Sequence, residues 1–270
     1  MNRFLALAIL LPPVLFSGCS SMSESMERSM LFHPVRNISL TPQMAGMEAK
    51  DVFIISGGKK IHGWLFGMGE ERLTVIYLHG NAENVSNMLG IVKALEPMEF
   101  DLLLVDYRGY GRSEGEPSVD GIVEDTLAAV DWIVSQQGVP AKRIVLWGRS
   151  LGAAAALQTA MKRPDLGGVI VESGFASLRK IAAYHMPWIP SFMVRDKLDS
   201  VLAISQLNMP KLIIHGERDQ VIPYTQGVDI FQAAPSPKEF YPVAGAGHND
   251  IKAKGGAGYI QKIKAWLARL

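Results

Sequence analysis

The sequence predicts an α/β fold: a mainly parallel eight-stranded sheet, opened by an antiparallel hairpin, with helices on both faces and a small cap segment. Three observations carry this expectation. Short apolar runs alternate with longer stretches of helical period, the rhythm of strand–helix–strand crossovers. Those runs are continuous rather than alternating, which suits strands buried on both faces. Finally, Ile144-Val145-Leu146-Trp147 leads through Gly148-Arg149-Ser150-Leu151-Gly152 into the helix-forming stretch Ala153 to Met161, a strand joined to a helix by a very sharp turn.

Residues 1–18 read as a signal peptide, with Arg3 as a short basic start, an apolar stretch from Phe4 to Phe16, and small residues Ser17-Gly18 before Cys19. The apolar stretch is too short to cross a bilayer comfortably. It resembles a bacterial lipoprotein signal, which implies that Cys19 is lipidated after cleavage. It departs from that pattern at Phe16, where Leu, Val or Ile is usual. A plain secretory signal or N-terminal anchor with Cys19 unmodified is the alternative. Ser20, rather than Asp, follows the cysteine. By resemblance to enterobacterial lipoproteins, this implies the cell envelope, at the outer membrane facing the periplasm. Residues 19–30 are rich in Ser, Met and Glu and read as a tether, leaving one domain over 31–270.

Within that domain, Val52 to Ile55 and Ile61 to Phe66 flank Ser56-Gly57-Gly58-Lys59, an antiparallel hairpin. Leu73 to Leu78 and Leu102 to Val105 are strands, with a helix over Val85 to Leu95 between them. Val119 to Gln136 places Ile122, Val123, Leu127, Val130 and Ile133 at helical spacing behind Ser118 as N-cap. After the sharp turn come strands at Val169 to Val171, Leu212 to Ile214 and Glu239 to Tyr241, and helices at Thr225 to Ala233 and Tyr259 to Leu270. Residues 175–206 break the rhythm, because Pro187 and Pro190 interrupt any long helix. They read either as an apolar lid over an acyl pocket, with Trp188 and Phe192 reaching inward, or as a crossover helix with a kinked start.

Composition narrows the function classes. The 270 residues carry a net charge of +1, so there is no nucleic-acid footprint. The lone Cys19 excludes an internal disulfide and a cysteine-based metal site. The six histidines are scattered without a zinc-ligand pattern, so neither metal nor cofactor is expected.

The chemistry centres on Ser150. Gly148 and Gly152 have no Cβ to obstruct the bend, which lifts the serine hydroxyl above the sheet edge. The bend also leaves the Leu151 N–H at a helix N-terminus, where an anion is favoured. A serine needs a base, and the base an orienting carboxylate. The chain order for such a turn is Ser, then Asp or Glu, then His. Asp219 lies in a loop just past the strand 212–214, and His248 lies in Ala244-Gly245-Ala246-Gly247-His248-Asn249-Asp250 after the last strand. Asp250 and Glu172 are alternative acids. Glu217 reads as a solvated loop residue, His79 and His215 as structural, and His62 and His185 as belonging to no constellation. Asp106, Arg108 and Arg112 read as one charge network, with a substrate-facing Arg108 or Arg149 as the alternative.

Together, G-R-S-L-G, H-G-E-R-D-Q-V-I-P and G-A-G-H-N-D resemble the α/β-hydrolase superfamily, from about Leu31 to Leu270. The upstream L-H-G-N-A-E-N and D-Y-R-G-Y-G-R-S resemble the Bem46-like hydrolases; Gly57-Gly58 departs from their usual Asp-Gly turn. The resemblance implies that Ser150 is the nucleophile, His248 the base and Asp219 its partner. It also implies an oxyanion hole made by the N–H groups of Leu151 and Asn81, with Ala82 in reserve. The implied activity is hydrolysis of esters or thioesters through an acyl-enzyme. Because relatives remove palmitate from proteins, the implied partners are a small-molecule or acylated substrate and a membrane reached through the lipid anchor. An aminopeptidase or amidase of the same fold, and a non-catalytic lipoprotein scaffold, are the alternatives. Oligomeric state is left open.

Overall fold

The computed structural model describes residues 28–29, 31–67, 72–188, 190 and 194–270. The expected signal, Cys19, nearly all of the expected tether, and Phe192 lie outside the described residues. The hairpin pairs β1 (Lys50–Ser56) with β2 (Lys59–Phe66), Ser56 standing opposite Lys59. Gly57 and Gly58 turn it with φ of +53° and +76°, the left-handed pair a two-residue turn requires.

Strands and helices then alternate: β3 (Thr74–Leu78), α1 (Leu89–Leu95), β4 (Asp101–Val105), α2 (Val119–Gln136), β5 (Ile144–Arg149) and α3 (Leu151–Lys162). They continue with β6 (Gly168–Glu172), α4 (Leu178–His185), α5 (Ser200–Ser205), β7 (Lys211–Gly216), α6 (Tyr224–Ala233), β8 (Lys238–Val243) and α7 (Ile251–Leu267). The strands form one eight-stranded sheet in the order β1-β2-β4-β3-β5-β6-β7-β8. Pairing is antiparallel from β1 through β2 to β4 and parallel from there on.

Each central strand feeds two cores, which is why its apolar run is unbroken. Ile76, Leu103 and Leu146 pack on one face with residues of α2, α3, α5 and α6. Val75, Leu102 and Trp147 pack on the other with residues of α1 and α7. Ser118 caps α2 as expected, its side chain accepting from Gly121 N at 3.0 Å, a contact worth about 1 kcal/mol.

Three expected elements differ in extent. The helix expected over Val85 to Leu95 is divided into a 3₁₀ turn at Val85–Met88 and α1. Asn84 caps the 3₁₀ turn: its Oδ1 accepts from Ser86 N, and its own N–H donates to Asn87 Oδ1. The final helix begins at Ile251 rather than Tyr259, its first turns hidden in the sequence by Gly255, Gly256 and Gly258. Gly256, at φ 51° and ψ −139°, kinks it. The segment 175–206 holds two short helices, α4 and α5, in place of a single crossover helix. Pro187 accounts for the break, because the residue before a proline is driven out of the helical region and Met186 sits at φ −133°, ψ 62°.

The parallel strands end together at one edge, and there backbones meet without side chains between them. A Cβ on Gly148 would stand 2.1 Å from Gly152 O, and one on Gly152 would stand 2.1 Å from Leu78 O. Neither neighbour is a movable side chain. Gly152→Ala should therefore destabilise the fold by more than about 3 kcal/mol, read as a lowered midpoint of urea denaturation.

Candidate active site

Ser150 stands between β5 and α3 at φ 54°, ψ −114°, a backbone conformation that few non-glycine residues adopt. Two main-chain bonds hold it there: Ser150 N donates to Glu172 O on β6 at 2.9 Å, and Ala153 N donates to Ser150 O at 3.0 Å. The hydroxyl is thereby presented to the loop after β8. His248 Nε2 lies 3.2 Å from Ser150 Oγ, and His248 Nδ1 lies 2.7 Å from Asp219 Oδ2. A carboxylate only accepts, so Nδ1 carries the proton and Nε2 is left free to accept from the serine.

Asp219 is buried and fully engaged. Its Oδ1 accepts from Val221 N at 2.9 Å and Ile222 N at 2.8 Å. Burial alone pushes its carboxyl pKa up. The hydrogen bond and charge of His248, with the Ile222 N–H and the His215 ring, outweigh burial and hold it below the ordinary carboxylate range.

The loop after β3 runs beside the serine: a Cβ on Gly80 would stand 3.5 Å from Ser150 Cβ. Asn81 Oδ1 accepts from His33 N, Tyr110 OH and Ala82 N at 2.9, 2.8 and 3.1 Å, while Asn81 Nδ2 donates to Leu31 O at 2.6 Å. The Ala82 N–H is thus committed to its neighbour. Among the described residues, the main-chain N–H groups of Asn81 and Leu151 have no acceptor.

The remaining candidates lie elsewhere. Asp250 accepts from Gly247 N at 2.6 Å and Glu172 from Trp147 Nε1 and Tyr259 OH at 2.9 and 2.8 Å, so neither carboxylate orients His248. His215 Nε2 is bonded to Ile222 O at 2.9 Å. Glu217 is exposed. Trp188 is 75% exposed and does not pack inward.

The expected charge network is two separate ones. Arg108 pairs with Asp125 and Glu124. Asp106 instead faces His62 Nδ1 at 3.2 Å, whose Nε2 meets Asp51 at 2.9 Å; Asp51 in turn holds Arg112 at 3.0 Å. His62, read in the sequence as isolated, is therefore buried between two carboxylates. Its partners lie on other strands and loops, so no local spacing marked it. Arg149 does not face open solvent where a substrate would sit: it bonds Glu83 and the loop of His248. Glu83, to which the sequence reading gave no role, is one residue beyond the expected oxyanion loop.

A family model described as serine aminopeptidase, S33 (Hydrolase_4), matches residues 69–202. The uncharacterized protein Rv2307c of Mycobacterium tuberculosis is 32% identical over 255 residues, covering 93% of this chain and 90% of that protein. The α/β hydrolase domain-containing protein aho-3 of Caenorhabditis elegans is 31% identical over 195 residues, 72% of this chain and 57% of its own length. Among solved structures, the esterase Pf2001 of Pyrococcus furiosus superposes with a TM-score of 0.74 over 88% of this chain and 97% of that one. At 22% identity, that likeness speaks for the fold alone.

The depressed pKa of Asp219 makes a stability prediction. Its folded value lies below the unfolded value of about 3.9, so its ionised form stabilises the fold above that pH, and the contribution is lost as pH falls through the folded pKa. Asp219→Asn should therefore be less stable than the parent near neutral pH, with the gap closing below about pH 4. Urea midpoints across an acid pH series read this directly.

Proposed function

The chain belongs to the α/β-hydrolase superfamily, and we propose that it is a serine hydrolase of carboxylic esters or thioesters working through an acyl-enzyme. The observation that carries this reading is the continuous relay from Asp219 through His248 to Ser150, at 2.7 and 3.2 Å. Ser150 Oγ attacks the acyl carbon while His248 Nε2 takes its proton. The carbonyl oxygen becomes an oxyanion held by the N–H groups of Leu151 and Asn81. The tetrahedral intermediate collapses, His248 returns the proton to the departing alcohol or thiol, and the acyl group stays on Ser150. Water, deprotonated by His248, then attacks the ester and releases the acid. Asp219 holds the His248 tautomer and stabilises the imidazolium. Each oxyanion donor contributes a factor of about 10²–10³ in rate.

A second reading keeps the machinery and changes the bond. The matched family model is described by a serine aminopeptidase, which favours an amidase. Matched ester and amide substrates of one acyl group separate the two.

Residues 1–18 and Cys19 support a lipid-anchored placement in the bacterial envelope, at the outer membrane and facing the periplasm, with acylated molecules such as palmitoyl esters or thioesters as the substrate class. Their sequence pattern is the whole support for this part of the proposal.

Ser150→Ala should lower hydrolysis of p-nitrophenyl acyl esters by roughly 10⁶-fold and abolish labelling by a fluorophosphonate probe. Equal rates in the two proteins would remove the proposal. Cys19→Ala should move the protein from the membrane fraction to the soluble fraction on cell fractionation. Unchanged partitioning would remove the lipid anchor while leaving the chemistry untouched.

A further inference from the structure

Resting on the serine-hydrolase reading, we propose that Arg149 is a positioning residue that couples the oxyanion loop to the loop of the general base. It precedes the nucleophile in the chain, yet its side chain is only 11% exposed. Nη1 bonds Glu83 Oε1, and the other oxygen of that carboxylate accepts from Gly80 N at 3.0 Å. Nη2 donates to His248 O at 3.0 Å and to Asn249 Oδ1 at 2.8 Å. Nε stands 3.9 Å from Glu172 Oε1 on the buried side.

One planar group therefore holds both components that must meet at the substrate carbonyl. Toward β3, Glu83 accepts from the Gly80 N–H and fixes that peptide. With that peptide fixed, the next one, which carries the Asn81 N–H, keeps its orientation. Toward β8, the bond to His248 O fixes the main chain from which the imidazole projects. Arginine suits this task because its donors lie in a rigid fork that serves several acceptors at once. A lysine ammonium is a compact point charge on a flexible stem and does not reproduce that fork. Glu83 and Glu172 flank a guanidinium whose pKa they raise against the opposing effect of burial.

The test begins with fluorophosphonate labelling of the intact protein at Ser150, followed by kinetics and inhibition by a phenylboronic acid, a mimic of the tetrahedral state. Arg149→Gln should lower kcat by about 10- to 100-fold, with KM changed by less than about threefold, and should weaken boronate binding in step with kcat/KM. Arg149→Lys should not restore either quantity. Glu83→Gln should lower kcat in the same direction, and the double variant should lose no more than Arg149→Gln alone, because both act through one unit. If Arg149→Gln does not fold, Glu83→Gln, which removes the arm toward Gly80 and leaves the bond to His248 O, carries the test by the same readouts. A parent protein that the probe leaves unlabelled would remove the hydrolase reading and this inference together. A labelled parent whose folded variants keep kcat and boronate affinity within about twofold, or lose activity through KM alone, or multiply their losses in the double variant, would overturn this inference and leave the hydrolase reading standing.

Discussion

The close approach of three backbones at the C-terminal edge of the sheet is the constraint on which the site depends. The junction of β5 and α3 presses on itself at Gly148 and Gly152, and Gly152 presses on the end of β3 at Leu78 O. Contact this tight forces Ser150 into its unusual conformation, at a cost of order 1–3 kcal/mol. One bond to the neighbouring strand and one within the turn offset that cost, and a core packs on either face of the sheet. At this turn the hydroxyl, the first amide of α3 and the loop after β3 lie together, a Cβ on Gly80 standing 3.5 Å from Ser150 Cβ.

Buried carboxylates form the second layer of the design, and the fold treats each differently. Asp106 accepts Val85 N at 2.9 Å and faces His62 at 3.2 Å and His79 at 3.5 Å, so its charge ties strands and loops together beneath the site. Glu172 is held by Trp147 and Tyr259. Burial pushes its pKa up more strongly than Arg149 and those two donors pull it down. Asp219 alone is connected outward, through an imidazole that reaches the serine. A buried carboxyl becomes relevant to chemistry through where its partner leads. On that criterion Asp219, in the loop after β7, differs from Glu172, the last residue of β6.

Local patterns made much of this legible in the sequence. Continuous apolar runs located the central strands of the sheet to within a few residues, because burial on both faces leaves no polar positions to confuse the period. The glycine pair of the hairpin, the Ser118 cap and the glycines about Ser150 are rules of nearest neighbours, and they can be read without knowing the fold. The meeting of Ser150, Asp219 and His248 was legible because strand ends of a parallel sheet converge. What escaped was set by contacts between distant segments. His62 finds Asp106 across 44 positions of chain, and Arg149 finds the His248 loop across 99. The early turns of α7 escaped for the opposite reason. Its glycines oppose a helix locally, yet Ile251 and Tyr259 bury their side chains, and that burial overrides propensity.

Asn81 shows how these layers combine. Its amide side chain is held by a tyrosine hydroxyl, two main-chain donors and a main-chain acceptor, drawn from Leu31, His33, Ala82 and Tyr110. The chain before β1 is itself fastened along the same loop, with Asn84 Nδ2 donating to Val35 O and Asn37 O at 3.1 and 2.8 Å. The side chain therefore serves as a post that fixes the loop. It occupies the competing Ala82 N–H, while the main-chain N–H of Asn81 has no acceptor among the described residues. An aspartate at this position would lack the Nδ2 donor for Leu31 O, and a serine would reach fewer partners. Asparagine meets both demands, which gives H-G-N-A a physical reason for its third residue: the side chain builds the loop, and on the proposed reading the backbone N–H is the part that meets the substrate.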